Sequence, residues 1–316
     1  MSNACPPENK YIFGPVPSRR LGISLGVDLM PHKTCSLNCV YCECGKTTSL
    51  TLKDRVYVPT DEVIEELSGF LSQKPEIDHV TFSGSGEPTL HSGIQDIIKF
   101  VKTNHPDYKV ALLTNGTMFF APRIRKRVLD ADIIIASVDA GSVDVFRKIN
   151  RPHPDLDLAA VIDGITALRR EYKHKLMIEM FIVPGVNDTE DEIACIREAL
   201  RKIGDVDIFL NSLDRPGAES WVLPADKKIL AGIKDSIYKS DIIQHSGSGR
   251  EYEKRLTECG PDIISTLRRR PCTLEDILKI TGKSMDKVAK QLEMLVETGE
   301  VETQRLQRGI FYKLKQ

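Results

Sequence analysis

Residues 25–215 alternate short apolar runs with longer amphipathic stretches. The apolar runs Gly26–Met30, His79–Phe82, Lys109–Leu113, Asp132–Ser137, Leu176–Val183 and Asp207–Leu210 have the length and β-branched content of buried strands. Between them, Thr60–Ser72, Gly93–Asn104, Pro122–Leu129, Leu156–Tyr172 and Thr189–Ile203 read as helices. Val63, Ile64, Leu67 and Leu71 recur at helical spacing, and Thr60 before Asp61 and Glu62 is a helix-start signal. Pro154 and Asp155 mark the start before Leu156 in the same way. Strands alternating with helices predict a parallel sheet with helices outside. Six such units fall short of the eight that close a barrel, so the pattern predicts an α/β fold, a partial, open (β/α)6 barrel.

After residue 215 the alternation stops. A helix is predicted near Ala225–Tyr238, and His245-Ser-Gly-Ser-Gly-Arg250 reads as a flexible connector. The chain therefore divides into residues 1–245, a linker at 246–258 and a second domain at 259–316. Helices near Pro261–Arg269, Thr273–Thr281 and Ser284–Glu297, a break at Gly299, and two short strands within Glu300–Lys315 around Arg308-Gly309 suggest a winged helix.

The 316 residues are 41% hydrophobic and 28% charged, with a formal net charge of −1, which suits a globular protein of one large domain or two. No apolar run approaches the length of a membrane span, and the N-terminus lacks the apolar core of a signal peptide, so a cytoplasmic location is expected. Near-neutral charge argues against a general polyanion binder. Residues 259–316 hold eleven Lys/Arg and eight Asp/Glu, a net of +3. That mild excess, with Arg268–Arg270, Arg305 and Arg308, suits either phosphate contacts or docking of a protein or peptide.

Cys35, Cys39 and Cys42 change the picture most. They form a C-x3-C-x2-C run in a segment too short to fold by itself. Three thiolates packed together repel, and a metal centre makes them stable. Iron–sulfur clusters are held by Cys thiolates, and three ligands leave one iron of a four-iron cluster open for a substrate or cofactor. Two other readings stand beside this one: a tetrahedral zinc site with Cys44 as fourth ligand, and a disulfide. Cys195 reads as helix core, and Cys259 and Cys272 as buried positions flanking the first helix of the second domain.

The Cys run with Tyr41 before its third Cys resembles the radical S-adenosylmethionine superfamily. Phe-Gly-Pro-Val-Pro-Ser-Arg-Arg-Leu-Gly at 13–22, Ser-Gly-Ser-Gly-Glu-Pro-Thr-Leu at 83–90 and Leu-Leu-Thr-Asn-Gly-Thr at 112–117 are similar to the branch of the wyosine-forming tRNA enzymes and their uncharacterised relatives. The resemblance implies a 4Fe-4S cluster on Cys35, Cys39 and Cys42, S-adenosylmethionine as cofactor, and a 5′-deoxyadenosyl radical that takes a hydrogen atom from a substrate, with RNA or a peptide as candidates. It also implies a low-potential electron donor of flavodoxin or ferredoxin type. By the same resemblance Tyr41 lies beside the adenine, and Gly84, Ser85 and Gly86 shape a loop from which Glu87 meets the methionyl ammonium. Asn115, Ser137 and Asp139 reach the ribose or the methionyl carboxylate, and Val183 to Asn187 form an adenine-contacting turn. Asn211 is a further candidate for the same pocket.

Bland roles remain open for several of these residues. Strand-end Asn115, Ser137 and Asp139 also suit helix capping, and Ser18-Arg19-Arg20 suits either an anion clamp or a surface ion pair. The wyosine-forming enzymes carry further upstream cysteines for a second cluster. Only Cys5 precedes Cys35 here, so a second cluster of that type is not expected. No catalytic side chain is assigned. The alternative in another class is an iron–sulfur or zinc redox regulator that binds DNA through the winged helix, and it has no need of the Gly84–Pro88 loop.

Overall fold

A computed structural model of the protein describes residues 10–18, 20–238 and 263–315. Its first part is a seven-stranded sheet curled into a half-barrel with helices outside. In chain order this part comprises β1 (Ile12–Ser18), β2 (Gly22–Val27), β3 (Thr34–Cys35), β4 (Ser49–Leu50), α1 (Thr60–Leu71), β5 (His79–Phe82), α2 (Ile94–Asn104), β6 (Lys109–Thr114), α3 (Pro122–Val128), β7 (Ile133–Ser137), α4 (Val143–Ile149), α5 (Leu158–Glu171), β8 (Lys175–Ile182), α6 (Glu190–Ile203), β9 (Asp207–Ser212) and α7 (Lys227–Tyr238). The sheet order is β1-β2-β5-β6-β7-β8-β9, with all neighbours parallel except the β1–β2 hairpin.

The six parallel strands agree with the sequence pattern, but the first is shifted. The run expected at Gly26–Met30 pairs as β2 at Gly22–Val27, and Val27 opposite Phe82 closes its ladder with β5. Beyond it Asp28 leaves the strand, its carboxylate accepting from the Met30 and Ser85 amides. The hairpin strand β1 was not expected. Phe13 of β1 lies across Gly26, where a Cβ would stand 2.1 Å from the ring. Helix α4 was also unexpected, and α5 starts at Leu158 because Asp157 caps it, accepting from the Ala160 amide. Alternate strand residues such as Phe82, Leu112, Ile134 and Ile178 face the helices in the main core. Leu21, Ala111 and Ile135 pack separately from it, against Leu113, Ile133 and Met177. Cys195, expected in the core, is exposed on α6, whose buried side is carried by Ile193, Ile196, Leu200 and Ile203.

The C-terminal part holds α8 (Ile263–Arg269), β10 (Cys272–Thr273), α9 (Leu274–Thr281), α10 (Met285–Glu297), β11 (Val301–Leu306) and β12 (Gly309–Leu314). Its strands form an antiparallel sheet in the order β10-β12-β11, one strand more than the sequence pattern suggested. Ile263, Leu267, Cys272, Ile277, Val288 and Leu292 belong to its core, and Val16 of β1 packs on that core. The expected linker at 246–258, Cys5, Arg19, Cys259 and Pro261 lie outside the described residues.

This part rests on the half-barrel. Arg215, just after β9, donates to the Pro271 carbonyl at 2.8 Å and to Asp276 at 2.7 Å. Arg308 bonds Asp214 at 2.6 Å and Asp276 at 2.8 Å. The Arg269 guanidinium sits 5.0 Å from the centre of the Phe13 ring. The C-terminal part therefore touches both β1 and the segment after β9, the two ends of the open sheet. Arg308, read in sequence as suited either to phosphate or to protein docking, is held in ion pairs because the tight β11–β12 turn faces Asp214 and Asp276.

Candidate functional site

The cysteine loop lies at the carboxyl ends of the strands and is held from several sides. The Asn38 amide donates to the Asn150 carbonyl and that of Val40 to Ile149, both at 2.9 Å, so the end of α4 fixes the loop's course. The His153 amide bonds the Ser36 carbonyl at 3.0 Å, and the Glu219 amide bonds Val40 at 2.9 Å. Each of the three cysteines receives a nitrogen donor. Asn115 Nδ2 approaches Cys35 Sγ at 3.5 Å, Asn150 Nδ2 approaches Cys39 Sγ at 3.5 Å, and Lys33 Nζ approaches Cys42 Sγ at 3.0 Å. Donors aimed at sulfur suit thiolates bound to a metal centre. Cys44 behaves differently. Its Sγ donates to the Arg269 carbonyl at 3.0 Å and approaches the Gly84 carbonyl at 3.6 Å, which is the behaviour of a neutral thiol.

Titration divides the four thiols differently, with Cys42 alone lowered. Burial pushes the Cys35 thiol up to about 12 and raises Cys39 as well. A hydrogen bond from Cys44 holds Cys42 well below the usual thiol value, against the effect of burial and with Lys33 beside it, and the same contact pushes Cys44 up. Buried thiols of this kind ionise when a cation compensates them. Among the described residues no three His, Cys, Asp or Glu side chains converge closely enough to share one metal ion. A mononuclear zinc site, with each sulfur about 2.3 Å from the ion, finds no such group there. A four-iron cluster places its own irons and sulfides between the thiolates and takes them further apart.

The loop after β5 lies against the cysteines. Gly84 has φ +144° and packs on Asp28, where a Cβ would come within 2.3 Å. A Cβ on Gly86 would stand 2.0 Å from the Thr34 carbonyl, so the loop touches β3 through bare backbone. Asp28 Oδ2 accepts from the Ser85 amide at 3.0 Å and from the Ser85 hydroxyl at 2.6 Å. Glu87 is 2% exposed. Its Oε1 accepts from the Thr89 amide at 3.0 Å and from the Thr89 and Thr114 hydroxyls, each at 2.6 Å, and its Oε2 accepts from the Asn115 amide at 2.8 Å. Burial raises its pKa against these donors. Glu87 thus joins β5 to β6, and Oε2 keeps capacity for one more donor.

Across the barrel mouth, Asp139 organises the remaining residues. Its Oδ2 accepts from Tyr41 OH at 2.5 Å and from Asn150 Nδ2 at 2.7 Å, and its Oδ1 accepts from the Phe181 amide at 2.8 Å. Burial lifts its pKa to about 6. The Tyr41 ring stacks on Phe181 with centroids 3.9 Å apart. Asn187 is fully buried and donates to the Asp139 and Phe181 carbonyls while accepting from the Val183 amide, so the Val183–Asn187 turn is locked from within. Asn115 Nδ2 also bonds Ser36 Oγ at 2.9 Å. Ser137, Asn115, Asp139 and Asn150 line one small cavity.

The residues expected around the cofactor, from the cysteine loop, the Gly84–Glu87 loop, Asn115, Ser137, Asp139 and the Val183–Asn187 turn, therefore gather at one end of the half-barrel. Tyr41, Glu87, Asn115, Asp139 and Asn187 are strongly engaged with one another or with backbone. Asp28, Lys33, Asn150 and Phe181 belong to the same constellation and were missed. Asp28 and Phe181 meet partners more than forty residues away, and the nearer contacts of Lys33 with Cys42 and of Asn150 with Asp139 follow no recognisable spacing. Only Asn150 had a local hint, in the Asn-Arg-Pro corner where Arg151 takes φ +44°.

The family model of the Radical SAM superfamily matches residues 29–194. A UPF0026 protein of Methanocaldococcus jannaschii is 32% identical over 282 residues, covering 86% of this chain and 86% of that protein. The GTPase Obg of Brachyspira hyodysenteriae is 33% identical over 299 residues, covering 93% of this chain but 44% of that longer protein. Among solved structures, TYW1 with a lysine–pyruvate adduct bound superposes with a TM-score of 0.51 at 17% identity, covering 69% of this chain and 73% of that one, a likeness of fold.

Proposed function

This chain belongs to the radical SAM superfamily and, within it, to the UPF0026 proteins; it is a radical SAM enzyme whose cofactors are S-adenosylmethionine and a 4Fe-4S cluster, and from that premise we propose how its residues divide the work. When bound, the two cofactors supply a one-electron cleavage of the sulfonium bond and a 5′-deoxyadenosyl radical that removes a hydrogen atom from substrate.

Cys35, Cys39 and Cys42 hold the cluster, and Cys44 does not. The observation that carries this assignment is the donor pattern, in which three sulfurs accept from Asn115, Asn150 and Lys33 and the fourth donates to carbonyls. Glu87 offers the remaining capacity of Oε2 to the methionyl ammonium. Gly84, Ser85 and Gly86 bring backbone close to the cofactor, and Asn115 and Ser137 line its polar end. Tyr41, Asp139, Val183 and Asn187 act chiefly as the wall that keeps this end dry and rigid, since their polar atoms are spent on one another.

Reduction calls for an external donor, which we read as flavodoxin or ferredoxin type in a reducing cytoplasmic setting. Among the described residues no helix is long and apolar enough to cross a membrane. Residues 1–245 form the catalytic unit, and 259–316, read as a winged helix, bring a macromolecular substrate to it; a modified RNA base is the leading candidate and a peptide the second.

The test is anaerobic reconstitution followed by reduction. The wild-type chain is expected to bind about four irons and to convert S-adenosylmethionine to 5′-deoxyadenosine. Cys35→Ala, Cys39→Ala and Cys42→Ala lose the iron, and Cys44→Ala keeps it. Iron loss in Cys44→Ala would overturn the ligand assignment.

A further inference from the structure

The Ser-Arg-Arg segment before β2 has no part in the cofactor assignments, yet Arg20 turns into the barrel. From the turn joining β1 and β2 it pairs through Nη1 with Glu179 Oε1 on β8, and its guanidinium lies 4.8 Å from the centre of the Phe209 ring on β9. Asn211 Nδ2 donates to the same Glu179 oxygen at 2.9 Å. Ser137 stands opposite Glu179 in the β7–β8 register, and Asn211 lies two residues beyond Phe209, which stands opposite Glu179 in the β8–β9 register. Glu179 is close enough to Tyr41 and Asp139 to raise both electrostatically, so this group adjoins the pocket assigned to the cofactor.

The group keeps unused hydrogen-bonding capacity. Among the described residues Arg20 Nε and Nη2 and Glu179 Oε2 have no hydrogen-bond partner, and the Arg20 and Glu179 side chains are each 18% exposed. The geometry points to Arg20, Glu179 and Asn211 as the substrate-reading group of the half-barrel, and to the edge of a cis-amide, a carbonyl beside an N–H, as what they read. This deepens the proposed function and rests on the half-barrel being its reaction chamber.

Charge decides the class. The pair is neutral as a whole, so an anion would meet Glu179 and a cation would meet Arg20, and either would leave one partly buried charge uncompensated. A neutral ligand with an acceptor next to a donor satisfies both: its carbonyl takes the free guanidinium edge, and its N–H donates to Glu179 Oε2. A trans peptide bond points its carbonyl and N–H in opposite directions. A cis edge presents them side by side, as in a nucleobase lactam or a primary carboxamide.

Saturation-transfer NMR on the full-length protein tests this with five probes: guanosine for the lactam, propionamide for the carboxamide, N-methylacetamide for the trans amide, and acetate and methylammonium for the charges. Guanosine or propionamide is expected to receive saturation and the other three are not; which of the two binds identifies the source of the edge. Arg20→Met and Glu179→Gln are each expected to cut the signal at least fivefold. If Arg20→Met lowers the melting temperature, Glu179→Gln, which keeps the side chain's shape, decides. Equal binding of acetate or N-methylacetamide, no binding of either cis-amide, or unchanged binding in a folded Glu179→Gln protein would overturn the assignment. Wild-type cleavage of S-adenosylmethionine is measured in parallel. Its failure alongside intact probe binding would remove the proposed chemistry and leave the reading group standing.

Discussion

Lys33 shows how much at the residue scale escapes a linear reading. It is 3% exposed and takes φ +56°, a left-handed conformation that costs a non-glycine residue energy. Its backbone meets that cost with three hydrogen bonds: the amide donates to Ser85 at 2.9 Å, and the carbonyl accepts from Thr48 and Ser49, each at 3.1 Å. Burial would push the ammonium down, and the sulfur of Cys42 beside it more than reverses this, so the charge is kept. A cation 3.0 Å from a ligand sulfur stabilises the more negative, reduced state of a cluster. Lys33→Met is therefore expected to shift the cluster's midpoint potential downward with iron content unchanged, and Lys33→Arg to leave it close to wild type. A redox titration followed by electron paramagnetic resonance measures it, and an unmoved midpoint in Lys33→Met would remove this role.

At the scale of elements, α9 works as a latch. Thr273 caps it and accepts from the Asp276 amide at 3.1 Å, while Asp276 Oδ2 accepts from the Thr273 amide at 3.1 Å. The same carboxylate holds Arg215 and Arg308, so one helix start joins the C-terminal part to the half-barrel. Burial would raise Asp276, but Arg215, the Thr273 amide and Arg308 override it and hold the carboxyl at about 2. A folded pKa below the unfolded 3.8 means that the contact stabilises above that value and is lost as pH falls from there towards 2. Hydrogen exchange in the amides of 263–315 and 214–216 is expected to quicken over that window. At neutral pH Asp276→Asn should reproduce the effect. Protection unaltered in that variant would mean that the apolar contact through Val16 suffices for docking.

Among the described residues the half-barrel and the C-terminal part bury separate cores. Every member of the main core lies between Tyr11 and Ile237, and the C-terminal core begins at Ile263. Among the described residues docking includes Val16, Phe13, Cys44, Asp214 and Arg215 on one side, and Arg269, Pro271, Cys272, Asp276 and Arg308 on the other. A chain ending at Tyr238 is accordingly expected to fold, to keep iron and to cleave S-adenosylmethionine, while losing turnover of the proposed macromolecular substrate. Circular dichroism and 5′-deoxyadenosine formation report on this, and a truncated chain without native secondary structure would show that the C-terminal part belongs to the fold of the half-barrel.

Local chemistry determined the parts of this protein that depend on neighbours in sequence. The order of the six parallel strands followed from hydrophobic periodicity, because each buries its own apolar residues, whereas β1 and α4 did not. The cysteine run and Gly84–Glu87 stood out by residue type at fixed spacing, and Gly86 against the Thr34 carbonyl shows why bare backbone is needed there. Tertiary structure alone decided the rest. Nothing in the spacing sends Arg20 across the barrel to Glu179, seats Asn150 on Cys39, or turns Cys44 towards Arg269. Those contacts arise only when the sheet curls and brings its two ends, and the C-terminal part, to the same place. The pairing energy belongs to groups more than a hundred residues apart, and in an extended chain each of them looks like an ordinary polar residue.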